Sequence, residues 1–152
     1  MQHWLMKSEA DCYSINDLKR DKRTLWTEIR NYQARNFMRD MKIGDKILFY
    51  HSNAGAETGV VGEAKVSKNV VPDPTQFDKN GEYFDAKATK ENPRWECVEV
   101  AFKSVFSKIV TLQNLKTEKQ FSDMVVVRPG SRLSITPVQK VHYDKIVKKG
   151  NG

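Results

Sequence analysis

Cysteine is scarce in this chain: Cys12 and Cys97 are the only two, far apart and without paired spacing. That excludes a disulfide framework and a cysteine zinc box, and it favours a reducing, cytoplasmic setting. Histidine is nearly as rare. His3, His51 and His142 stand alone, with no H-x-x-x-H, H-E-x-x-H or C-x-x-C company, so no metal site is expected. No run approaches the ~18 apolar residues of a membrane span, and "MQHWLMKSE" lacks the basic-then-apolar pattern of an export signal. The "GVVG" at Gly59 to Gly62 is followed by no G-K-[ST] and opens no helix. Close packing in a strand explains it better than a phosphate loop. Internal repeats and low-complexity stretches are missing as well.

What remains is the composition of a folded globule. The 152 residues are 39% hydrophobic and 30% charged, enough to bury one core, so 1–152 is read as a single domain. Lys and Arg number 26 against 19 Asp and Glu, a formal net charge of +7. Such a surplus suits polyanionic partners without requiring them.

Periodicity supplies the elements. His3 to Ser8 reads as an opening strand with Trp4 and Met6 on one face and Leu5 and Lys7 on the other. Ser14 to Asp17 has capping-box spacing and starts a short helix through Arg20. Ala34, Phe37, Met38 and Met41 form the apolar stripe of a second helix, with Asn31 as its N-cap and Arg35 and Arg39 on another face. A turn at Gly44-Asp45 leads to a strand over Lys46 to His51, which should pair as a hairpin with Gly59 to Ser67. Pro72 to Pro93 is rich in turn formers and should be a long irregular excursion. In "WECVEVAFKSVF", Val98, Val100 and Phe102 alternate as in a strand, and Thr111 should cap a short helix. A strand over Arg132 to Ile135 follows the turn at Pro129-Gly130. Thr136, Pro137 and Gln139 then spell a T-x-x-Q box for a terminal helix ending near Lys148. The order predicts an α+β fold with a curved or barrel-like sheet and flanking helices.

Candidates for chemistry are few. Cys97 and His51 would make a nucleophile and base only if brought together, and a cysteine in an alternating strand is ordinarily a small hydrophobe. Glu96 with Glu99, and Asp40 with Asp45, read as surface charges. The aromatic and basic set differs. Trp26, Tyr32, Tyr50, Tyr83, Phe84 and Trp95 stand near polar or basic neighbours in loops or at strand ends. There, rings can stack on bases while Arg or Lys meets phosphates. Tyr32 and Phe84 have an equally simple reading as covers for the core's edge. Trp26, followed by Arg30 and Asn31, is expected as a half-exposed ring beside "YHSN" at Tyr50 to Asn53, with cations clustered round the mouth of the pocket.

These stretches, "HWLMKSE", "LWTEIRNYQARNFMRDMKIGDKILFYHSN", "GVVGEAKV", "PDPTQFD", "PRWECVEV" and "LSITPV", together resemble the EVE domain family of the PUA-like superfamily. The resemblance implies a PUA-like pseudo-barrel that captures a modified base, such as modified cytosine in DNA, without being an enzyme or needing a cofactor. Carried over, the pocket would be lined by Trp26, Arg30 and Asn31, by Tyr50, His51 and Ser52, by Lys7 and Ser8, and by Ser134. Arg35 and Arg39 would serve the phosphates. Two departures stand out: Ala10 where the family often has proline, and Thr27-Glu28 where it often has an acidic residue and glycine. A monomer binding DNA or RNA with a modified base is the expected partner arrangement, off the membrane. An RNA or tRNA reader, a small-metabolite pocket and a His51-dependent hydrolase are the competing readings.

Overall fold

A computed structural model describes all 152 residues. The first strand explains the architecture. β1 (His3–Glu9) lies parallel to β3 (Lys46–Ser52) and antiparallel to β6 (Ile135–Val138), so it is flanked by a strand on each edge. Trp4 and Met6 enter one core cluster while Leu5 enters another, as the alternation requires. β3 and β4 (Gly59–Pro72) pair as the expected antiparallel hairpin, and β4 continues against β5 (Glu96–Thr111). A three-residue β2 (Arg23–Leu25), too short to read from the sequence, pairs with β5 and completes the order β2-β5-β4-β3-β1-β6. The long β4–β5 ladder shifts register at several points, and such bulges bend and twist a sheet. The result is the expected α+β fold with a curved mixed sheet.

Local signals account for most helices. In α1 (Ile15–Asp21), Ser14 Oγ accepts from the Asp17 N–H at 3.1 Å and the Asp17 carboxylate accepts from the Ser14 N–H at 2.9 Å, completing the capping box. α2 (Tyr32–Asp40) is capped by Asn31, whose side-chain oxygen accepts from the Ala34 N–H at 2.9 Å. Its apolar stripe closes the first cluster. Thr111 caps α3 (Leu112–Thr117), its hydroxyl accepting from Asn114. Gly62 could not be any other residue without movement, since an added Cβ would lie 2.4 Å from the Ser104 carbonyl oxygen.

The last helix corrects the sequence reading. Thr136 and Pro137 do not cap it; they belong to β6, opposite Leu5 and Trp4 of β1. α4 (Lys140–Asn151) begins only after Gln139, with no side-chain cap. β6 is an edge strand, where proline's missing N–H breaks no ladder, and burial of Ile135 and Thr136 outweighs the capping signal. Correspondingly, the strand expected over Arg132 to Ile135 lies at Ile135–Val138. Asp45 is likewise no surface charge. It is 3% exposed and accepts from the N–H groups of Gln2 and Lys42 and from the Trp4 indole at 3.0 Å.

Candidate nucleic-acid interface

Between the end of β1, the turn after it and the segment running from β2 toward α2 lies a cavity of about 420 Å³. Lys7 and Ser8 contribute from β1, Cys12 and Tyr13 from the turn, Thr24 to Ile29 from the far side, and Tyr83 from the long excursion. Its volume falls within the range of small-ligand pockets.

Trp26 forms part of this wall, but not as a half-exposed ring. It is 8% exposed, its ring meets Phe49 edge-on at 5.5 Å, and its backbone N–H donates to the Val98 carbonyl at 2.8 Å. The tryptophan is core and cavity wall at once, because β2 ends one residue earlier and turns it inward. Two residues on, Glu28 adopts φ 75°, the left-handed region that side chains avoid. Its N–H donates to Asp73 Oδ2 at 2.7 Å.

Asp73 is the organiser that sequence reasoning missed. Fully buried, it also accepts from Arg30 Nη1 at 3.2 Å and from the Thr75 N–H at 2.7 Å. The Gln76 side chain completes the fastening. Its NH₂ donates to the carbonyls of Asp73 and Trp95, and its oxygen accepts from the N–H groups of Arg94 and Trp95. The Asp-Pro pair at Asp73-Pro74, an N-cap followed by proline at N1, was the available signal.

The expected site residues separate into groups. Trp26, Lys7 and Ser8 meet at the cavity. The Ser8 hydroxyl donates to the Tyr13 carbonyl at 2.6 Å, and the Lys7 ammonium lies 5.5 Å from the Tyr50 ring centre, where burial lowers its pKa. Arg30 turns away from the cavity, held by Asp73, Thr75 and the Tyr83 carbonyl. Asn31 is occupied as the α2 cap. Tyr50 is buried in the second core cluster, and burial pushes its hydroxyl up to about 12. His51 Nε2 accepts from the Ile15 N–H at 3.0 Å, and burial lowers its pKa. Ser52 closes β3 opposite Glu9, and Ser134 offers its carbonyl to the Lys7 N–H at 2.8 Å. Arg39 pairs with Glu96, and Arg35 bonds the Arg94 carbonyl. Among the residues lining the cavity, Lys7 and Glu28 are the charged ones.

Nucleophilic chemistry finds no support. Cys97 is buried in β5 opposite Val71, and burial pushes its thiol up to about 12. It shares no hydrogen bond with His51, whose acceptor nitrogen is already used. No helix is long and apolar enough to cross a membrane.

The sequence model of the EVE domain family matches residues 2–149. The chain belongs to that family. Among its EVE relatives is human thymocyte nuclear protein 1, 37% identical over 95% of this chain and 72% of the human protein. A crystal structure of a Pseudomonas syringae protein has a TM-score of 0.92 at 41% identity, covering 97% of this chain and 98% of that one. The human THYN1 protein in complex with 5-methylcytosine-containing DNA has a TM-score of 0.92 at 36% identity, covering 100% of this chain and 99% of that one.

Proposed function

We propose that this EVE domain is a non-enzymatic reader that takes a modified base, modified cytosine in DNA, into the Trp26 cavity. The observation that carries the reading is a ligand-sized cavity walled by Trp26 and Tyr83 in a fold this close to a relative crystallised with methylated DNA. Base capture requires the nucleotide to leave its stack, at a cost of a few kcal/mol, recovered through ring contacts and edge hydrogen bonds. Trp26 and Tyr83 provide the rings, and Lys7 and Ser8 stand at the β1 end of the same cavity. Arg30, Asn31, Tyr50, His51 and Ser134 act from behind, holding the wall in shape rather than reading the base.

The buried Asp73 and Gln76 bonds keep the cavity formed without ligand, which reduces the ordering cost of binding. The surplus of positive charge assists any polyanion. Reduced thiols fit a cytoplasmic or a nuclear setting equally, and the human relative bears a nuclear name.

The test is a titration of matched DNA and RNA oligonucleotides, with and without 5-methylcytosine. Tighter binding of methylated DNA supports the reading. Equal binding of both DNAs refutes it, and preference for RNA moves the protein to the RNA-reading alternative.

A further inference from the structure

A ladder of rings and guanidinium groups runs from the cavity wall to the outer face of α2. The ring centre of Tyr83, in the wall, lies 5.6 Å from the Arg30 guanidinium carbon, which lies 5.3 Å from the Trp95 ring centre. Trp95 stacks on Tyr32 at 4.9 Å with the planes 21° apart, and Arg35 lies 4.7 Å over Tyr32. The inner rungs are fixed by Asp73 and by Asp85, which accepts from the Trp95 indole at 2.8 Å. The outer rungs face solvent. Tyr32 is 48% exposed, and its hydroxyl accepts from Arg94.

Charge is unevenly matched here. Arg39 has Glu96 and Arg94 has Asp85 at 3.5 Å, whereas Arg35 forms no ion pair. Its N–H groups reach only neutral acceptors, the Arg94 carbonyl at 2.8 Å and the Asn36 side chain at 3.2 and 3.4 Å. Burial lowers its pKa most, and the neighbouring Arg39 and Arg94 add to this against the opposing pull of Glu96. Anchoring the excursion needs the Arg94 carbonyl contact but not the crowding of three arginines beside an exposed ring. Guanidinium groups next to a sequence-tolerant stacking surface match a phosphodiester and its base.

We infer that the Tyr32–Arg35–Arg94 face is a subsite for the nucleotides flanking the captured one, Arg35 and Arg94 holding a phosphodiester while the Tyr32 ring supports an adjacent base. The inference rests on the base-capture reading and extends it: the ligand is a strand, and an isolated base engages only part of the site. Arg39 and Arg94 are each already paired, with Glu96 and Asp85, so Arg35 carries most of the phosphate contact and Arg94 adds to it.

The two claims are read by different quantities. Discrimination between methylated and unmethylated oligonucleotides reports the cavity, whereas affinity for both together and its salt dependence report the flanking subsite. Arg35→Gln should weaken binding of both oligonucleotides on the order of fivefold and reduce the salt slope by about 0.7, leaving their ratio unchanged. Arg35→Lys should keep the slope. Tyr32→Ala should weaken both at least about fivefold. Melting temperatures check that each variant is folded, and Arg94→Gln replaces Arg35→Gln if that one is not. Unchanged affinity and slope in the folded glutamine variant overturn the subsite while base capture stands. Loss of the methylation ratio in that variant also overturns it, since the residue would then act through the cavity. A wild-type protein without discrimination refutes base capture, and the salt slope still decides the role of Arg35.

Discussion

The buried carboxylate of Asp73 accepts the backbone N–H of Glu28 at 2.7 Å, across 45 positions of sequence. One bond thereby ties the irregular excursion to the cavity wall and holds Glu28 at φ 75°. The same carboxylate pairs with Arg30. Removing it should loosen the wall and leave a guanidinium unpaired.

Asp73→Ala is accordingly expected to lose about 3 to 5 kcal/mol of stability, the usual result of removing one partner of a buried pair. Urea unfolding measures it. A loss below about 1 kcal/mol would show that solvent or Thr75 replaces the carboxylate.

Glu28→Gly should gain about 1 kcal/mol, because glycine adopts the left-handed backbone freely while other residues do so at a cost of roughly 1–3 kcal/mol, partly offset by glycine's greater freedom when unfolded. The same change removes the carboxylate from the cavity wall, so oligonucleotide affinity should rise as well. A fall in melting temperature would mean that the Glu28 side chain makes a contact worth more than the strain.

Trp26→Ala should destabilise by about 3 to 5 kcal/mol, since a large buried ring leaves a void that the curved sheet cannot close. Trp4→Ala should cost a similar amount. Trp26→Phe keeps part of the core contact with Phe49 and is the variant in which ligand binding can be read, with a loss of methylated-oligonucleotide affinity at nearly native melting temperature.

Stability should fall on the acid side through His51. Burial holds its folded pKa below the ordinary 6.5, so the unfolded chain binds the proton more readily. The contribution is complete above 6.5 and is lost as pH drops below it toward the folded value, because the protonated ring can no longer accept from Ile15. His3, also lowered by burial, adds in the same direction. His51→Gln, which retains an acceptor but does not titrate, should flatten the decline between neutral and mildly acidic pH. An identical pH profile for variant and wild type would rule His51 out.

Much of the fold was legible because its signals are local. The Ser14–Asp17 box, the Asn31 cap, the α2 stripe and the alternation of β1 each act within a few residues, and each recurs in the structure. The T-x-x-Q box at Thr136 was as local and failed, because pairing with β1 and burial of Ile135 offered that stretch more than a helix cap could. The excursion's irregularity was readable from its turn formers, whereas its fastening through Asp73 and Gln76 depends on partners far along the chain. The site divides in the same way. Residue types told that Trp26 suits a base and the family resemblance added Lys7 and Ser8, but only the packing decided that Trp26 is buried, that Arg30 is held by Asp73 and that Arg35 forms no ion pair while Arg39 and Arg94 do. Ring and charge are properties of the residue; exposure and pairing are properties of the packing around it.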